Sequence, residues 1–154
     1  MGAGVAGIYQ LYRLVEAGVD TVVLEAADGP GGTWFNNRYP GCRFDSESYT
    51  YGYSFSQELL EEWDWSERFS SQPENLRYLN FVVDKFDLRR HMQFGCRVEQ
   101  AIFDEQNSRW RVRVSDGRDE RWCVWGLQGS TDGRTRGRMA ALVGRLPRFG
   151  WELE

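Results

Sequence analysis

The amino-acid sequence predicts an α/β fold, and three observations support this prediction. A glycine-rich segment at 2–7 precedes a stretch in which apolar residues recur every three or four positions, the period of a helix. A short β-branched run at 21–24 follows and is typical of a buried parallel strand. At 109–114 apolar and arginine residues alternate, which indicates a strand with one wet face. Helical and extended segments therefore share one chain, as in α/β domains.

Three helices are predicted from capping signals and apolar stripes. The first begins after the glycine-rich segment and ends at Gly18, since glycine readily terminates a helix. Ser56 is placed to cap a short second helix that reaches Trp63. The third runs from Pro73, which suits the first helical position, to about Asp87. The stripes consist of Ile8, Leu11, Tyr12, Leu14 and Val15 in the first helix and of Leu76, Leu79, Val83 and Phe86 in the third.

The other segments are predicted as loops and strands. Residues 33–56 have many aromatics but no helical period, which favours an ordered loop region with short extended pieces. A hairpin turn at 105–108 joins a strand at 98–103 to the arginine-rich strand. Asp116-Gly117 predicts a further turn, and residues 121–125 predict one more strand.

The overall composition is that of a soluble globular protein. Hydrophobic residues make up 41% and charged residues 27% of the 154 residues. The net charge of −4 gives no reason to expect nucleic acid or an anionic membrane as a partner. The sequence has neither an apolar run of membrane-spanning length nor a signal peptide, so a cytoplasmic location is expected.

Cysteine and histidine are too few and too scattered to predict a metal site. Cys42, Cys96 and Cys123 lack metal-ligand spacing, and His91 is the only histidine. We therefore expect no metal, reduced thiols and a surface position for His91.

The glycine-rich segment has the spacing of a dinucleotide-binding turn. Gly2 allows a tight turn, Gly4 lets the backbone approach a pyrophosphate, and Gly7 lets the helix pack closely on the sheet. The helix that follows directs its N-terminal N–H groups and positive dipole end at the phosphates. Glu25 lies 18 residues beyond Gly7, at the end of the predicted strand, where an acid accepts hydrogen bonds from ribose hydroxyls. The pattern predicts a Rossmann-like domain.

A second glycine pair strengthens this interpretation. Gly31 and Gly32 follow the strand and the acid, so they are placed to bring backbone close to another stretch of the same dinucleotide. Trp34 and the tyrosines after it could wall a flavin ring, or the segment could be an aromatic-rich surface loop. Only Met1 precedes the first glycine, so the domain is expected to lack the strand that normally leads into this turn.

The stretch from Gly2 to about Gly117 resembles Baeyer–Villiger monooxygenases of the phenylacetone and cyclohexanone monooxygenase kind, within the flavin-containing monooxygenase superfamily. The resemblance rests on four segments that match in order and spacing, including the unusual WDWSER run at 63–68. These segments are GAGVAGIYQLYRL, VVLEAADGPGGTWFNNRYPGCRFDSES, YSFSQELLEEWDWSERFSSQPENLRYLNFVVDKFDLRR and FGCRVEQAIFDEQNSRWRV.

The resemblance implies an oxidoreductase in which NADPH reduces FAD, and oxygen is then used to convert a small ketone to an ester or lactone. Gly2, Gly4 and Gly7 would hold the FAD pyrophosphate, and Glu25 the adenosine ribose. Asp45 would be the catalytic residue present, since it would position an active-site arginine beyond this chain. The other residues implied to line FAD or to face the flavin and nicotinamide are Gly32, Thr33, Trp34, Phe35, Asn36, Arg43, Phe44, Tyr51 and Val98.

The resemblance has limits along the chain. We predict a partial FAD-binding domain at 1–119 that lacks its first strand and carries a helical insert at 56–90 and a β-hairpin at 97–115. From about residue 120 the family pattern stops. Residues 120–154 are expected to form a divergent Arg/Gly-rich tail, a sequence typical of a shifted reading frame in a GC-rich gene. The second GxGxxG-type domain of the family, which binds NADPH, is not in this sequence.

Three functions remain open from the sequence. The chain is an FAD-binding fragment of a monooxygenase, a remnant that binds no flavin, or a nicotinamide-binding module of another oxidoreductase. The run Gly32-Thr33-Trp34 favours the first over the third. The missing strand favours weak or no FAD retention, because a central strand buries several side chains worth about 1.5–3 kcal/mol each, against a typical net stability of about 5–15 kcal/mol.

Overall fold

A computed structural model describes residues 2–106, 109–115 and 120–126 of the chain, and it has a mixed α/β architecture, as predicted. The elements in chain order are α1 (Val5–Glu16), β1 (Val23–Leu24), α2 (Thr33–Asn36), α3 (Ser48–Tyr51), α4 (Gln57–Glu62), α5 (Gln72–Lys85), a 3₁₀ turn (Arg89–His91), β2 (Met92–Gln93), β3 (Arg97–Asp104), β4 (Arg109–Ser115) and β5 (Glu120–Gly126).

Helix α1 forms as the apolar stripe predicts. Gly4 is its N-cap, Ile8 and Leu11 are fully buried, and Gly18 follows its end with a φ of 71°. A left-handed residue just past the last turn stops a helix, and glycine adopts that conformation with the least strain. The predicted end of α1 is therefore confirmed.

Strands β1 and β2 form a parallel pair in which Val23 lies beside Met92. The pairing continues past the end of β1, because Glu25 N–H donates to the Gln93 carbonyl at 2.9 Å and Cys96 N–H donates to the Glu25 carbonyl at 2.8 Å. Among the strands described, β1 pairs only with β2. The strand expected at 21–24 is thus confirmed, although it is shorter than predicted.

The segment between β1 and β2 contains two helical turns that the sequence did not indicate, α2 and α3, both ahead of the predicted helical insert at 56–90. We expected residues 33–56 to be free of helix, and this was wrong for α2 and α3. Each is a single turn, too short to show a 3.6-residue period. The two longer helices agree with prediction: Ser56 Oγ accepts a hydrogen bond from Leu59 N–H at 3.3 Å at the start of α4, and Pro73 lies in the first turn of α5.

The antiparallel meander β3-β4-β5 confirms the paired strands of the predicted hairpin and the last strand, while residues 107–108 of the expected turn lie outside the described residues. Val112 and Val114 are buried on one face, while Trp110, further along the same face, is 44% exposed. Strand β5 pairs with β4 along its whole length. The turn expected at Asp116-Gly117 lies outside the described residues, as do residues 127–154, so the domain boundary at 119/120 stays a prediction.

Two apolar clusters fill the interior. The larger packs α1, β1 and the insert around α5, with Leu79, Val82 and Val83 at its centre. The smaller packs the end of β1 against the meander through Leu24 and Val98. Both clusters meet at β1, so the strand that leads into Glu25 is held from two sides.

A buried carboxylate organises the start of α5. Glu74 is 3% exposed and accepts hydrogen bonds from Ser66 N–H at 2.9 Å, from Ser66 Oγ at 2.8 Å and from Ser70 Oγ. Burial alone raises the pKa of Glu74, but these hydrogen bonds and the charge of Arg77 lower that pKa below its usual value.

The free energy of unfolding is expected to fall in acid because of Glu74. A carboxyl whose pKa is lowered by folding stabilises the fold above the pKa that it has in the unfolded chain, and this contribution is lost as the pH falls through the lower folded pKa. Urea unfolding of Glu74→Gln between pH 3 and 7 should show a flatter pH dependence than the parent chain. The exposed Glu61→Gln is the control, and an unchanged slope in Glu74→Gln would refute the assignment.

Candidate dinucleotide-binding site

The glycine turn presents the open N-terminus of α1. The N-cap residue Gly4 is extended, and the first helical bond runs from Ile8 N–H to the Gly4 carbonyl at 2.9 Å. The N–H groups of Val5, Ala6 and Gly7 consequently have no acceptor within the helix. The N-cap makes no side-chain hydrogen bond, and the first turn carries no acidic residue. Such an end attracts an anion through its N–H groups and its dipole.

Glu25 lies directly against this turn. Glu25 is only 8% exposed, and its Oε2 accepts a hydrogen bond from Ala3 N–H at 2.6 Å. Oε1 accepts a second from Ala27 N–H at 2.8 Å. A carboxylate offers about four acceptor positions, so capacity remains for two more donors. The structure therefore brings the glycine turn and the predicted ribose-binding acid together.

The second glycine pair, Gly31 and Gly32, packs on the glycine turn at 2–7, backbone against backbone. Gly31 N–H donates to the Ala3 carbonyl at 2.7 Å. Gly32 has a φ of 55°, and a Cβ built on it would lie 2.8 Å from the Gly4 Cα. No side chain fits there, so the two turns form a cradle made of main chain alone.

Two of the aromatic residues after Gly32, Trp34 and Phe44, are buried in the core. Trp34 and Phe44 are each 6% exposed, with their rings 5.4 Å apart in an edge-on arrangement. Trp34 Nε1 donates to the Tyr51 hydroxyl at 2.7 Å, and Gln72 Nε2 donates to the Trp34 carbonyl. The rings of Trp34 and Phe44 thus contact protein in the core, and their predicted flavin contacts stay predictions.

The remaining residues of α2 lie beside the cradle. Thr33 and Asn36 are exposed, and Phe35 is partly buried. Asn36 Nδ2 donates to the Gly32 carbonyl at 3.0 Å, which fixes the single turn of α2 on the second glycine pair. The Arg38 guanidinium covers the Phe35 ring at 4.8 Å.

Three further residues predicted for the site take no part in the hydrogen bonds described for the cradle. Arg43 is exposed, and its Nη1 donates to Glu67 Oε2 and to the Phe69 carbonyl, both at 3.0 Å. Asp45 is exposed. Val98 is 9% exposed and lies in β3 next to a β-bulge, opposite Val114. Their contacts with a cofactor stay predictions.

Sequence reasoning missed two residues that build the site, Ala3 and Tyr53. The main chain of Ala3 makes the hydrogen bonds that join the turn to the Glu25 side chain and to Gly31. The place of Ala3 between two motif glycines could have indicated this role. The Tyr53 hydroxyl donates to the Val5 carbonyl at 2.6 Å across 48 residues of sequence, and no local pattern signals that contact. Burial raises the pKa of Tyr53 well above its usual value, so the hydroxyl keeps its proton at neutral pH.

Comparison with known proteins also indicates a dinucleotide-binding domain. Residues 1–63 match a family described as an NAD(P)-binding Rossmann-like domain. An acetone monooxygenase (methyl acetate-forming) of Gordonia sp. (strain TY-5) is 47% identical over 117 residues, which is 76% of this chain and 22% of that protein. A Baeyer–Villiger monooxygenase of Pseudooceanicola batsensis is 42% identical over 118 residues, again 76% of this chain and 22% of that protein. The chain is homologous to the N-terminal part of Baeyer–Villiger-type monooxygenases.

Solved structures of two such monooxygenases share the fold of this chain. A steroid monooxygenase bound to NADP aligns with a TM-score of 0.74 and 52% identity over 77% of this chain and 23% of its own. The open form of cyclohexanone monooxygenase aligns with a TM-score of 0.74 and 46% identity over 79% of this chain and 24% of its own. The chain therefore spans about a fifth to a quarter of the length of the monooxygenases it matches. Among residues 2–106, 109–115 and 120–126, no helix is both long and apolar enough to cross a membrane.

Proposed function

We propose that this chain forms the part of a Baeyer–Villiger-type monooxygenase that holds the adenosine diphosphate half of FAD. The proposal rests on two hydrogen bonds of the Ala3 main chain: its N–H donates to the Glu25 carboxylate, and its carbonyl accepts from Gly31 N–H. These two bonds bring the glycine turn, the acid and the second glycine pair to one place. All three lie at the open N-terminus of α1.

The diphosphate would be held by main-chain N–H groups. Val5, Ala6 and Gly7 offer donors without helical acceptors, and the helix dipole adds positive potential. Gly4 and Gly32 carry no Cβ, so the two glycine segments pack backbone on backbone beside these donors. The residues present thus fit a dinucleotide diphosphate.

The ribose would be held by Glu25, which has acceptor positions left for its hydroxyls. The same carboxylate repels a phosphate on the ribose 2′ oxygen. This favours FAD, whose ribose 2′-OH is free, over NADPH, whose ribose is 2′-phosphorylated. FAD when bound supplies the electron-transfer and oxygen chemistry, while the chain's own residues bind and orient it.

The activity of the intact protein is proposed from its relatives. Those relatives include an acetone monooxygenase and a cyclohexanone monooxygenase, so we propose a small ketone as substrate and NADPH as reductant. In that protein Asp45 would position an arginine outside this chain, and the exposed Thr33 and Asn36 would line FAD. We further propose a cytoplasmic protein without nucleic-acid or membrane partners, in which residues 1–119 belong to the FAD-binding domain.

Equilibrium titration of the 154-residue chain with adenosine, ADP, adenosine 2′,5′-bisphosphate, FAD and NADPH tests this function. ADP should bind at least about tenfold more tightly than adenosine, because one charge-assisted hydrogen bond is worth about 1.5–3 kcal/mol and tenfold is about 1.4 kcal/mol. The 2′-phosphorylated ligands should bind more weakly than ADP and FAD. Equal affinities for ADP and adenosine would refute a diphosphate site, and a preference for NADPH over FAD would identify a nicotinamide-binding module instead.

A further inference from the structure

We propose that Tyr53 is a positioning residue for the diphosphate-binding end of α1, an inference that rests on the function proposed above. Its hydroxyl donates a hydrogen bond to the carbonyl of Val5, the first residue of α1, at 2.6 Å. Tyr53 lies between α3 and α4, so the segment that joins these helices reaches back to the glycine turn and holds the start of α1.

Tyr53 is itself held at both ends. Its main-chain N–H donates to the Tyr78 hydroxyl at 2.7 Å, and Tyr78, on α5, is only 2% exposed. Its ring lies among those of Phe55, Tyr78 and Tyr9, with centroid distances of 5.3, 5.9 and 6.4 Å. Two hydrogen bonds in series therefore connect the buried core of α5 to the first peptide unit of α1.

The carbonyl that Tyr53 contacts belongs to a peptide unit whose other end serves the ligand. The Val5 C=O and the Ala6 N–H lie in one rigid plane. Fixing the carbonyl oxygen therefore fixes the direction of the Ala6 N–H, one of the three donors at the open helix end. A hydrogen bond to the carbonyl also polarises the peptide unit and makes its N–H a stronger donor. Tyr53 thus acts on a bound phosphate through the main chain, without touching it.

The test compares ADP and adenosine binding in Tyr53→Phe, using the 154-residue chain. The substitution keeps the ring and removes only the hydroxyl. ADP affinity should fall about three- to tenfold while adenosine affinity stays unchanged, because Ala6 N–H faces the diphosphate alone. Tyr9→Phe is the matched control, since Tyr9 packs on the Tyr53 ring and is 40% exposed, and it should change neither affinity.

Each outcome decides the inference. Equal losses of ADP and adenosine affinity, or no loss of either, in Tyr53→Phe would overturn the positioning role while leaving the proposed function intact. If the parent chain itself binds ADP no better than adenosine, the proposed function fails first. Should Tyr53→Phe fail to fold, Tyr78→Phe removes the acceptor that holds Tyr53 and should lower ADP affinity alone, by a smaller factor. Unchanged ADP affinity in that variant would overturn the inference.

Discussion

Replacing Gly32 with alanine should lower the free energy of unfolding by about 2–5 kcal/mol and abolish ADP binding. Two effects add at this position. Gly32 has a φ of 55°, which an alanine side chain adopts only with strain, and the new Cβ would lie 2.8 Å from the Gly4 Cα. That neighbour is main chain and cannot rotate away. The glycine turn must therefore shift, and with it the main-chain cradle for the diphosphate.

Gly41→Ala separates these two effects. Gly41 also has a positive φ, 76°, but a Cβ there meets nothing within 4 Å. The free energy of unfolding of this variant should fall only by the cost of a left-handed alanine, about 1–2 kcal/mol. Its affinity for ADP should be unchanged. Urea unfolding and ADP titration of both variants measure the difference. Equal destabilisation and equal ADP affinity in the two would show that the contact between Gly32 and Gly4 does not matter.

Replacing Glu25 with glutamine should lower the free energy of unfolding by about 1.5–3 kcal/mol and weaken adenosine as well as ADP. Both carboxylate oxygens accept main-chain N–H groups, from Ala3 and from Ala27, near the protein interior. Glutamine keeps one oxygen, and its NH₂ group then faces the other N–H, donor against donor. The ribose also loses a charged acceptor, so adenosine affinity falls along with that of ADP.

Glu16→Gln is the control for this prediction. Glu16 lies at the end of α1 and forms an exposed ion pair with Arg13, so its substitution should change stability by less than about 1 kcal/mol and leave binding unchanged. Unfolding curves and adenosine titrations of both variants check the expectation. A Glu25→Gln chain as stable as Glu16→Gln, with full adenosine affinity, would contradict both roles given to Glu25.

The parts of the fold that follow a repeating pattern could be predicted from the sequence. Helix α1 shows a 3.6-residue period and a glycine at its end, and the structure ends it there. Strand β4 alternates, and across residues 110–115, whose burial is described, the buried ones are the two valines of the alternation, Val112 and Val114. Period and end signal are local properties, so each can be seen in a short window of sequence.

The parts that depend on distant partners could not be predicted. The single turn of α2 forms because Gly32 offers its carbonyl to residues that follow, and four residues show no period. The bond from Tyr53 to Val5 and the ion pair of Arg43 with Glu67 join residues far apart in sequence. Such pairings arise from tertiary packing, which leaves no spacing rule in the chain.

The candidate site likewise has one part that the sequence predicts and another that depends on tertiary packing. The motif places Gly4 and Glu25 at one site because a strand and a helix of known length separate them, and the structure brings them together. The sequence leaves the role of Trp34 open, since a Trp packs equally well in a core or against a flat ring. Trp34 is held in the core by Tyr51 and Gln72, contacts that spacing alone does not indicate.

Mapping ADP onto the main-chain amides of the ¹⁵N-labelled 154-residue chain by NMR tests the assignment of the glycine turn and Glu25 most directly. If the open end of α1 holds the diphosphate, the largest shifts should fall on the amides of Gly4 to Gly7 and of Gly32, with adenosine alone shifting chiefly those near Glu25. Shifts concentrated elsewhere on the chain, or the same amides moving equally with adenosine and with ADP, would contradict it.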